Sequence, residues 1–246
     1  MRHNQSGSRV IIESVFEKRE TKPERIDTGD YTDEEYNTFL REIRFINQRL
    51  GDRSALEKAL LSEISKQDIK EFSVLDVGAG SGELLSVIAD FAQESGRQCQ
   101  LVGLDLNELS SLEIAKESEN YSEMNAVRGD AFRLPFDDGA FDYAICSLFT
   151  HHLTDEQVPK VLREMSRVSS RGIVVIDLER NAMAWFLFNL FCLAYRISPL
   201  VRQDGSLSIK KGVRESELRA LATEAGLANV SVQRHAPYRV VLRCDV

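Results

Sequence analysis

The chain has 246 residues, with 31 Lys and Arg against 39 Asp and Glu and a formal net charge of −8. This length fits one well-filled domain, and 43% hydrophobic residues are enough to give it a core. The acidic balance argues against a nucleic-acid partner, because sequence-independent binding runs on phosphate neutralisation. The four cysteines, Cys99, Cys146, Cys192 and Cys244, form no CxxC pair. No metal site and no disulfide framework is therefore expected, and a reducing, cytoplasmic location is.

Residues 1–30 are polar and lack the apolar core of a signal peptide, so they are predicted to form a flexible or loosely docked N-terminal arm. The remainder, 31–246, is predicted to be a single domain. Tyr36, Phe39, Leu40, Ile43, Ile46 and Leu50 recur at helical spacing. Thr32 and Glu35 suit a capping box and Gly51 a stop, which predicts a helix over 32–50. Leu56, Leu60, Leu61 and Ile64 predict a second helix over 54–66. These N-terminal helices occupy 31–66.

From residue 72 short apolar runs alternate with amphipathic ones. Strands are predicted at 73–77, 100–106, 125–130, 141–149 and 172–178, with helices at 83–95 and 157–168. That alternation predicts an α/β architecture: three layers, doubly wound around a mostly parallel sheet. Pro159 leaves two readings of its helix, which either kinks there or begins there. A helix over 215–226 and two adjacent strands, NVSVQRHA and YRVVLRCDV with Pro237 between them, complete the chain.

VLDVGAGSGELL, residues 74–85, carries the most chemistry. A strand ends at Asp76, a glycine-rich turn follows, and a helix begins near Glu83. Gly78, Gly80 and Gly82 allow a sharp turn and close approach of a ligand to the main chain. A dinucleotide fingerprint would need glycine at 83, where the chain has Glu83, an acid that would oppose a pyrophosphate at the helix start. Asp105 ends the second strand and is placed to accept from ribose hydroxyls. Asp130, at the end of the third, suits an exocyclic amine, and Leu106 and Ala131 offer apolar faces for a base. Asp76 suits an ammonium group.

VLDVGAGSGELL, VGLDLN, RGDAFRLPF and FDYAICSLFTHHL, in this order, resemble the motifs of the class I S-adenosylmethionine-dependent methyltransferases, whose core is a seven-stranded Rossmann-like sheet. The resemblance covers residues 72–180 and extends to the final helix and two strands. It implies a seven-stranded sheet with a C-terminal antiparallel strand, S-adenosylmethionine as cofactor and S-adenosylhomocysteine as product. It also implies cofactor contacts at Asp76, Gly78, Gly80, Gly82, Asp105, Leu106, Asp130 and Ala131, with Ser147 near the methionine part. A looser resemblance, carried by IDLER, INQRLG and LVRQDGSLSIKK, is to a bacterial subgroup linked to phenolic and quinone-like metabolites.

His151 and His152 follow the fourth strand, where ligands bind in such sheets, and are the candidate general bases. Their bland alternative is packing or capping of the next helix. Arg180 is a candidate for holding a polar group of the acceptor, against an ion pair with Asp177 or Glu179. The run NAMAWFLFNLFCLAY opens a long insert, 181–212. It is shorter than the ~20 apolar residues of a membrane span. It is predicted to be a helical cap, with Trp185 and its neighbours lining an apolar acceptor pocket, weak peripheral membrane contact being a secondary reading. The expected activity is methyl transfer to a small, largely apolar acceptor at a phenolic or enolic oxygen. Alternatives are C-methylation of a quinone or polyketide-like ring and, from another class, a non-catalytic adenosylmethionine-binding protein. The assembly is expected to be a monomer or homodimer.

Overall fold

A computed structural model describes residues 15–246. Seven strands form one sheet: β1 (Glu71–Val77), β2 (Gln98–Asp105), β3 (Met124–Arg128), β4 (Phe141–Ser147), β5 (Ser169–Leu178), β6 (Val230–His235) and β7 (Arg239–Asp245). Their order is β3-β2-β1-β4-β5-β7-β6. β1 to β5 run parallel to one another, and β7 runs antiparallel to both β5 and β6. The predicted seven-stranded, mostly parallel sheet with one reversed C-terminal strand is what forms.

The helices are α1 (Arg25–Thr28), α2 (Asp33–Asn47), α4 (Glu83–Glu94), α5 (Glu108–Glu117), α6 (Val158–Val168), α7 (Ala182–Ala194), α8 (Pro199–Lys211) and α9 (Glu215–Glu224). Between α2 and β1 lies α3, a continuous helical run of Asp52–Leu56, Glu57–Leu61 and Ser62–Lys66 whose middle segment is a π turn. The central strands are apolar on both faces because helices cover both. Val74, Leu75 and Val77 of β1 are completely buried. One core packs α6 and α9 against the sheet through Leu162, Met165 and Leu218, and the other packs α3 and α4 through Leu60, Ile64 and Ile88. Burying each such side chain is worth about 1.5–3 kcal/mol. A third, smaller cluster lies outside the sheet and joins the arm, α2, α7 and α8 through Phe16, Ile46, Phe188 and Ile209.

Several local readings are resolved or changed. Thr32 and Glu35 form the expected capping box, Glu35 accepting from the Thr32 amide at 2.9 Å and donating its own amide to the hydroxyl at 3.2 Å. Pro159 falls in the first turn of α6, where no intrahelical N–H is needed, so that helix begins there and does not kink. α5 has no counterpart among the predicted elements. Its apolar periodicity is weak, since Leu109 and Leu112 are exposed and only Ile114 and Ser110 face inward.

Of the arm, residues 15–30 are described, and residues 1–14 lie outside the described residues. Residues 15–30 are docked, and polar contacts do most of the docking, which is why apolar periodicity gives no signal there. Arg19 donates to the carbonyls of Thr150 (3.2 Å), Leu153 (3.1 Å) and Lys211 (3.0 Å). The amides of Arg25 and Ile26, at the start of α1, donate to the buried carboxylate of Asp204 at 3.1 and 3.0 Å.

Candidate active site

The carboxyl ends of β1, β2 and β4 open into a cavity of about 610 Å³, roofed by the arm, α2, α7 and α8. Its polar wall is built by Asp76, Gly78, Gly80, Asp105 and Ser147, and its apolar wall by Phe39, Ile43, Ile46, Phe188, Phe191 and Ile209. Parallel strands present their carboxyl ends on one side of the sheet, so residues distant in sequence converge here.

The glycine turn has the geometry its composition implies. Gly78 and Gly80 lie at φ +74° and +57°, in the left-handed region that favours glycine. A Cβ at Gly78 would also sit 2.6 Å from the Phe149 ring, so the loop after β4 packs directly on this turn. The amide of Gly80 donates to Asp105 at 3.0 Å, and that of Asn107 to the other Asp105 oxygen at 2.8 Å. Glu83, at the start of α4, pairs with Arg44 of α2 at 3.1 Å and ties the roof to the turn.

Asp76 is 3% exposed, and its Oδ1 meets no partner among the described residues. Burial, then the nearby Asp105 charge, pushes its carboxyl up to about 7. Burial also pushes Asp105 up, against the amides that hold it down. Ser147 Oγ is likewise buried without a partner among those residues. A buried carboxylate raised by burial and by a neighbouring acid, orphaned oxygens and a glycine turn at positive φ suit a ligand bearing a cation and hydroxyl donors. S-adenosylmethionine, with its ammonium, sulfonium and ribose, is such a ligand, so the residues present fit the cofactor.

The adenine-end residues are placed differently from one another. Leu106 stands between two cavity-lining residues, Asp105 and Asn107, but turns its own side chain out, 66% exposed. Asp130 is exposed at the rim beyond β3 and accepts from the Phe132 amide at 2.9 Å. Ala131 packs its methyl into the core with Leu104 and Leu134. Its side chain therefore faces the core, and a turn closed by the Arg133 amide on the Asp130 carbonyl at 3.0 Å follows.

The two histidines line the cavity and stack with ring centroids 4.2 Å apart. Each is held by its own aspartate. His151 Nδ1 donates to Asp177 at 2.6 Å, and the His151 amide and Thr150 hydroxyl donate to the same carboxylate. Asp177 is fully buried at the end of β5. Burial works to raise its carboxyl, but His151 and the other donors outweigh that and hold it well below the usual range. With Nδ1 so engaged, Nε2 of His151 is the nitrogen left for an acceptor.

His152 Nδ1 lies 2.9 Å from Asp27, an acid of the docked arm. Lys211 Nζ lies 3.1 Å from Glu24 and 3.5 Å from Asp27. Two carboxylates thus face one ammonium, and a protonated His152 completes the balance. Burial alone would lower the His152 pKa, but Asp27 and Glu24 outweigh it and the net shift is upward. Asp27 itself, raised by burial and lowered more by His152 and Lys211, settles at about 2. Glu24, His151 and His152 also offer donor atoms within 4.8 Å of one another, in a metal-like arrangement, but the cation already beside Glu24 is the Lys211 ammonium.

This cluster makes arm docking pH-dependent. The folded pKa of His152 is raised, so its contribution is present in full below the unfolded value of about 6.5 and is lost as pH rises through the higher folded value. Limited proteolysis after Lys18 or Lys22 is expected to accelerate as pH rises above about 6.5, relative to an unfolded reference peptide, and this acceleration should vanish in His152→Gln.

Two substrate assignments are corrected. Arg180 is fully buried and its guanidinium is fully engaged, pairing with both oxygens of Glu217 and donating to the carbonyls of Phe16 (3.0 Å), Gly212 (2.7 Å) and Glu17 (3.3 Å). It clamps the arm and α9 to the end of β5 and leaves no donor for an acceptor. Neither Asp177 nor Glu179 is its ion-pair partner. Arg180→Ala is expected to lower unfolding free energy by about 3 kcal/mol in urea titrations, because it breaks the buried guanidinium's ion pair with Glu217 and removes a donor from three carbonyls. Trp185 meets the Phe16 ring edge-on at 6.5 Å and lies under Lys210 Nζ at 5.5 Å, facing the arm and not the cavity. On α7 the cavity is lined by Ala184, Leu187, Phe188 and Phe191, spaced along one helical face; Trp185 is turned about 100° from Ala184.

Sequence reasoning has no route to Glu24, Asp27 and Lys211. Asp27 and His152 are separated by 125 positions, and nothing in a polar arm marks one acid over another. Asp177 is visible in the sequence on the rim of β5, but its bond to His151 is not.

Comparison with known proteins agrees with this geometry. The family described as "Methyltransferase domain" matches residues 74–172. The chain is 35% identical to a demethylmenaquinone methyltransferase of Bacillus licheniformis over 174 residues, 65% of this chain and 72% of that one. Among solved structures, an S-adenosylmethionine-dependent methyltransferase from Aquifex aeolicus superposes with a TM-score of 0.55 at 17% identity, covering 84% of this chain and 98% of that one. A putative O-methyltransferase from Nostoc punctiforme gives a TM-score of 0.59 at 18% identity over 85% of this chain and 60% of that one. With its seven-stranded sheet, glycine turn and strand-end acids, the chain belongs to the class I S-adenosylmethionine-dependent methyltransferases.

Proposed function

We propose that the acceptor is a small, largely apolar molecule with a phenolic or enolic hydroxyl, and that the methyl group goes to that oxygen. The observation that carries this reading is the buried Asp177–His151 pair, with His151 on the lining of a cavity that has one apolar wall of Phe39, Ile43, Ile46, Phe188, Phe191 and Ile209. S-adenosylmethionine, when bound, supplies the electrophilic methyl as a sulfonium carbon.

Asp76 would receive the cofactor's ammonium, and Asp105 its ribose hydroxyls. Gly78, Gly80 and Gly82 would let the main chain approach it, Ser147 would meet its methionine part, and Leu106, Asp130 and the Ala131 backbone would flank its adenine. His151 Nε2 accepts the hydroxyl proton of the acceptor as its oxygen becomes a nucleophile. Asp177 fixes the ring and stabilises the imidazolium that results, so no separate reorientation is needed. His152, whose cationic form Asp27 and Glu24 favour, would in that form donate to an oxygen of the same acceptor and favour its anionic form. The aromatic and aliphatic wall excludes water and holds the ring in place.

A second reading is transfer to a ring carbon adjacent to the ionised oxygen. It is favoured by the 35% identity to a demethylmenaquinone methyltransferase, and the same deprotonation would initiate it. Product analysis with a panel of phenols, quinols and enolised diketones separates the two, since O-methyl and ring-methyl products differ by NMR. Activity only toward amines, or toward none of these classes, would contradict both. We further propose that 31–246 acts as one catalytic domain, with the described part of the 1–30 arm serving as part of its roof.

A further inference from the structure

The outer face of α7 is unusual for a helix on an acidic protein. Met183, Phe186, Leu187, Leu190, Leu193 and Tyr195 are all exposed, from 44% at Leu187 to 69% at Leu193. They make up half of the large exposed apolar side chains among the described residues. Met183, Phe186, Leu187, Leu190 and Leu193 fall along one side of the helix, opposite Phe188 and Cys192, which pack inward, and Tyr195 caps its C-terminal end. A continuous apolar stripe of this kind marks an interaction surface.

Its surroundings are mostly cationic; Glu42 of α2 is also close, but it is half-buried and taken up by the Ser198 amide at 3.0 Å. The guanidinium of Arg49 lies 3.8 Å from the Phe45 ring, and Phe45 in turn packs on Tyr195 at the end of α7. Arg196 follows directly, Arg202 is exposed on α8, and Lys210 reaches back over Trp185. Between 181 and 210 the single acid is Asp204, which is buried beneath the arm. Every outward-facing charge on that stretch is therefore positive, on a chain whose net charge is −8. A second copy of the chain across a two-fold axis would bring these cations against themselves. An anionic lipid surface would instead match both the apolar stripe and its basic surround.

The same helix roofs the cavity. Leu187 belongs to both faces: it lines the cavity and is 44% exposed. We propose that the outer face of α7 docks on anionic bilayers, and that an apolar acceptor enters from that side past Leu187. The entry route rests on the apolar-acceptor reading above; the docking does not.

Co-sedimentation with lipid vesicles tests the docking without any acceptor. Wild type is expected to partition onto phosphatidylcholine vesicles containing about 30% phosphatidylglycerol, and about tenfold less onto phosphatidylcholine alone. Raising salt from about 0.1 M to about 0.5 M should weaken the binding. The double variant Phe186→Glu, Leu190→Glu alters residues outside the cavity lining. It should keep its melting temperature and its stabilisation by S-adenosylhomocysteine yet lose about tenfold in partitioning. Arg196→Glu with Arg202→Glu should reduce binding to anionic vesicles alone. Failure of wild type to sediment with anionic vesicles would overturn the proposal, as would unchanged binding by the folded double variant or a wild-type dimer that the double variant dissolves without any vesicle binding. An inactive enzyme on every phenol tested would bear on the proposed chemistry and leave this result standing.

Discussion

His151→Asn is expected to lower kcat by about 10²–10⁴-fold on a phenolic acceptor near neutral pH, with the affinity for S-adenosylhomocysteine held within about threefold. Asparagine is the informative choice. Its amide nitrogen reaches the position of Nδ1 and keeps a donor on Asp177, whose burial makes an unpaired state costly. The variant removes Nε2, the proton acceptor, and little else. If His151 only packs the 3₁₀ turn Thr150–His152, activity should follow melting temperature, and both should be nearly unchanged. If it is the base, the defect should shrink as pH rises toward the acceptor's own pKa, because an acceptor ionised by solvent needs no base. Steady-state kinetics over about pH 6 to pH 10, with a thermal melt at each end, distinguishes these outcomes.

Asp76→Asn is expected to weaken S-adenosylmethionine binding by about 10–100-fold, read by calorimetry. Gly78→Ala should be at least as damaging, since its Cβ would have to displace the Phe149 ring from a contact of 2.6 Å. The wild-type affinity should also depend on pH. Asp76 is held up to about 7 by burial and by Asp105, and a bound ammonium favours its charged form. Binding must then release a proton at pH below about 7, and affinity should fall by up to about tenfold per pH unit under that value. In Asp76→Asn this slope should disappear. A slope that persists in the variant would move the effect to Asp105 or to another group.

Residues that act through local sequence order are legible in the sequence itself. The glycine turn, Asp105 and Asp130 at strand ends, and the paired histidines after β4 each declare themselves by position relative to an apolar run. Parallel topology carries such positions to one edge of the sheet. The polar roof is not legible in this way, because its links are long-range and individually ordinary. Asp27 reaches His152 from an arm with no apolar period, and Arg180 finds Glu217 across 37 positions, not an acid on its own strand. Trp185 shows a different limit. A helix apolar all round its circumference does not reveal which residues face a cavity, which face a neighbour and which face outward. Composition marks α7 as the cap, and only packing separates Phe188 in the cavity wall from Trp185 against the arm and Phe186 on the outer face.

The arm changes how the site is understood. Arg19 binds the carbonyls of the histidine turn, Asp27 binds His152, and Arg180 binds the arm's own backbone at Phe16 and Glu17. The arm is therefore tied to the histidine turn through Arg19 and Asp27 and to the end of β5 through Arg180. Under the proposed chemistry, a cavity closed over an apolar ring would exclude water from the nucleophilic oxygen and strengthen each electrostatic contact made there.

The most direct measurement is product identification with methyl-labelled S-adenosylmethionine. The enzyme should convert a hydrophobic phenol or quinol to a labelled methyl product while forming one equivalent of S-adenosylhomocysteine, and His151→Asn should abolish most of both. Label recovered on an amine or a carboxylate, or turnover on phenols that His151→Asn leaves intact, would contradict the account.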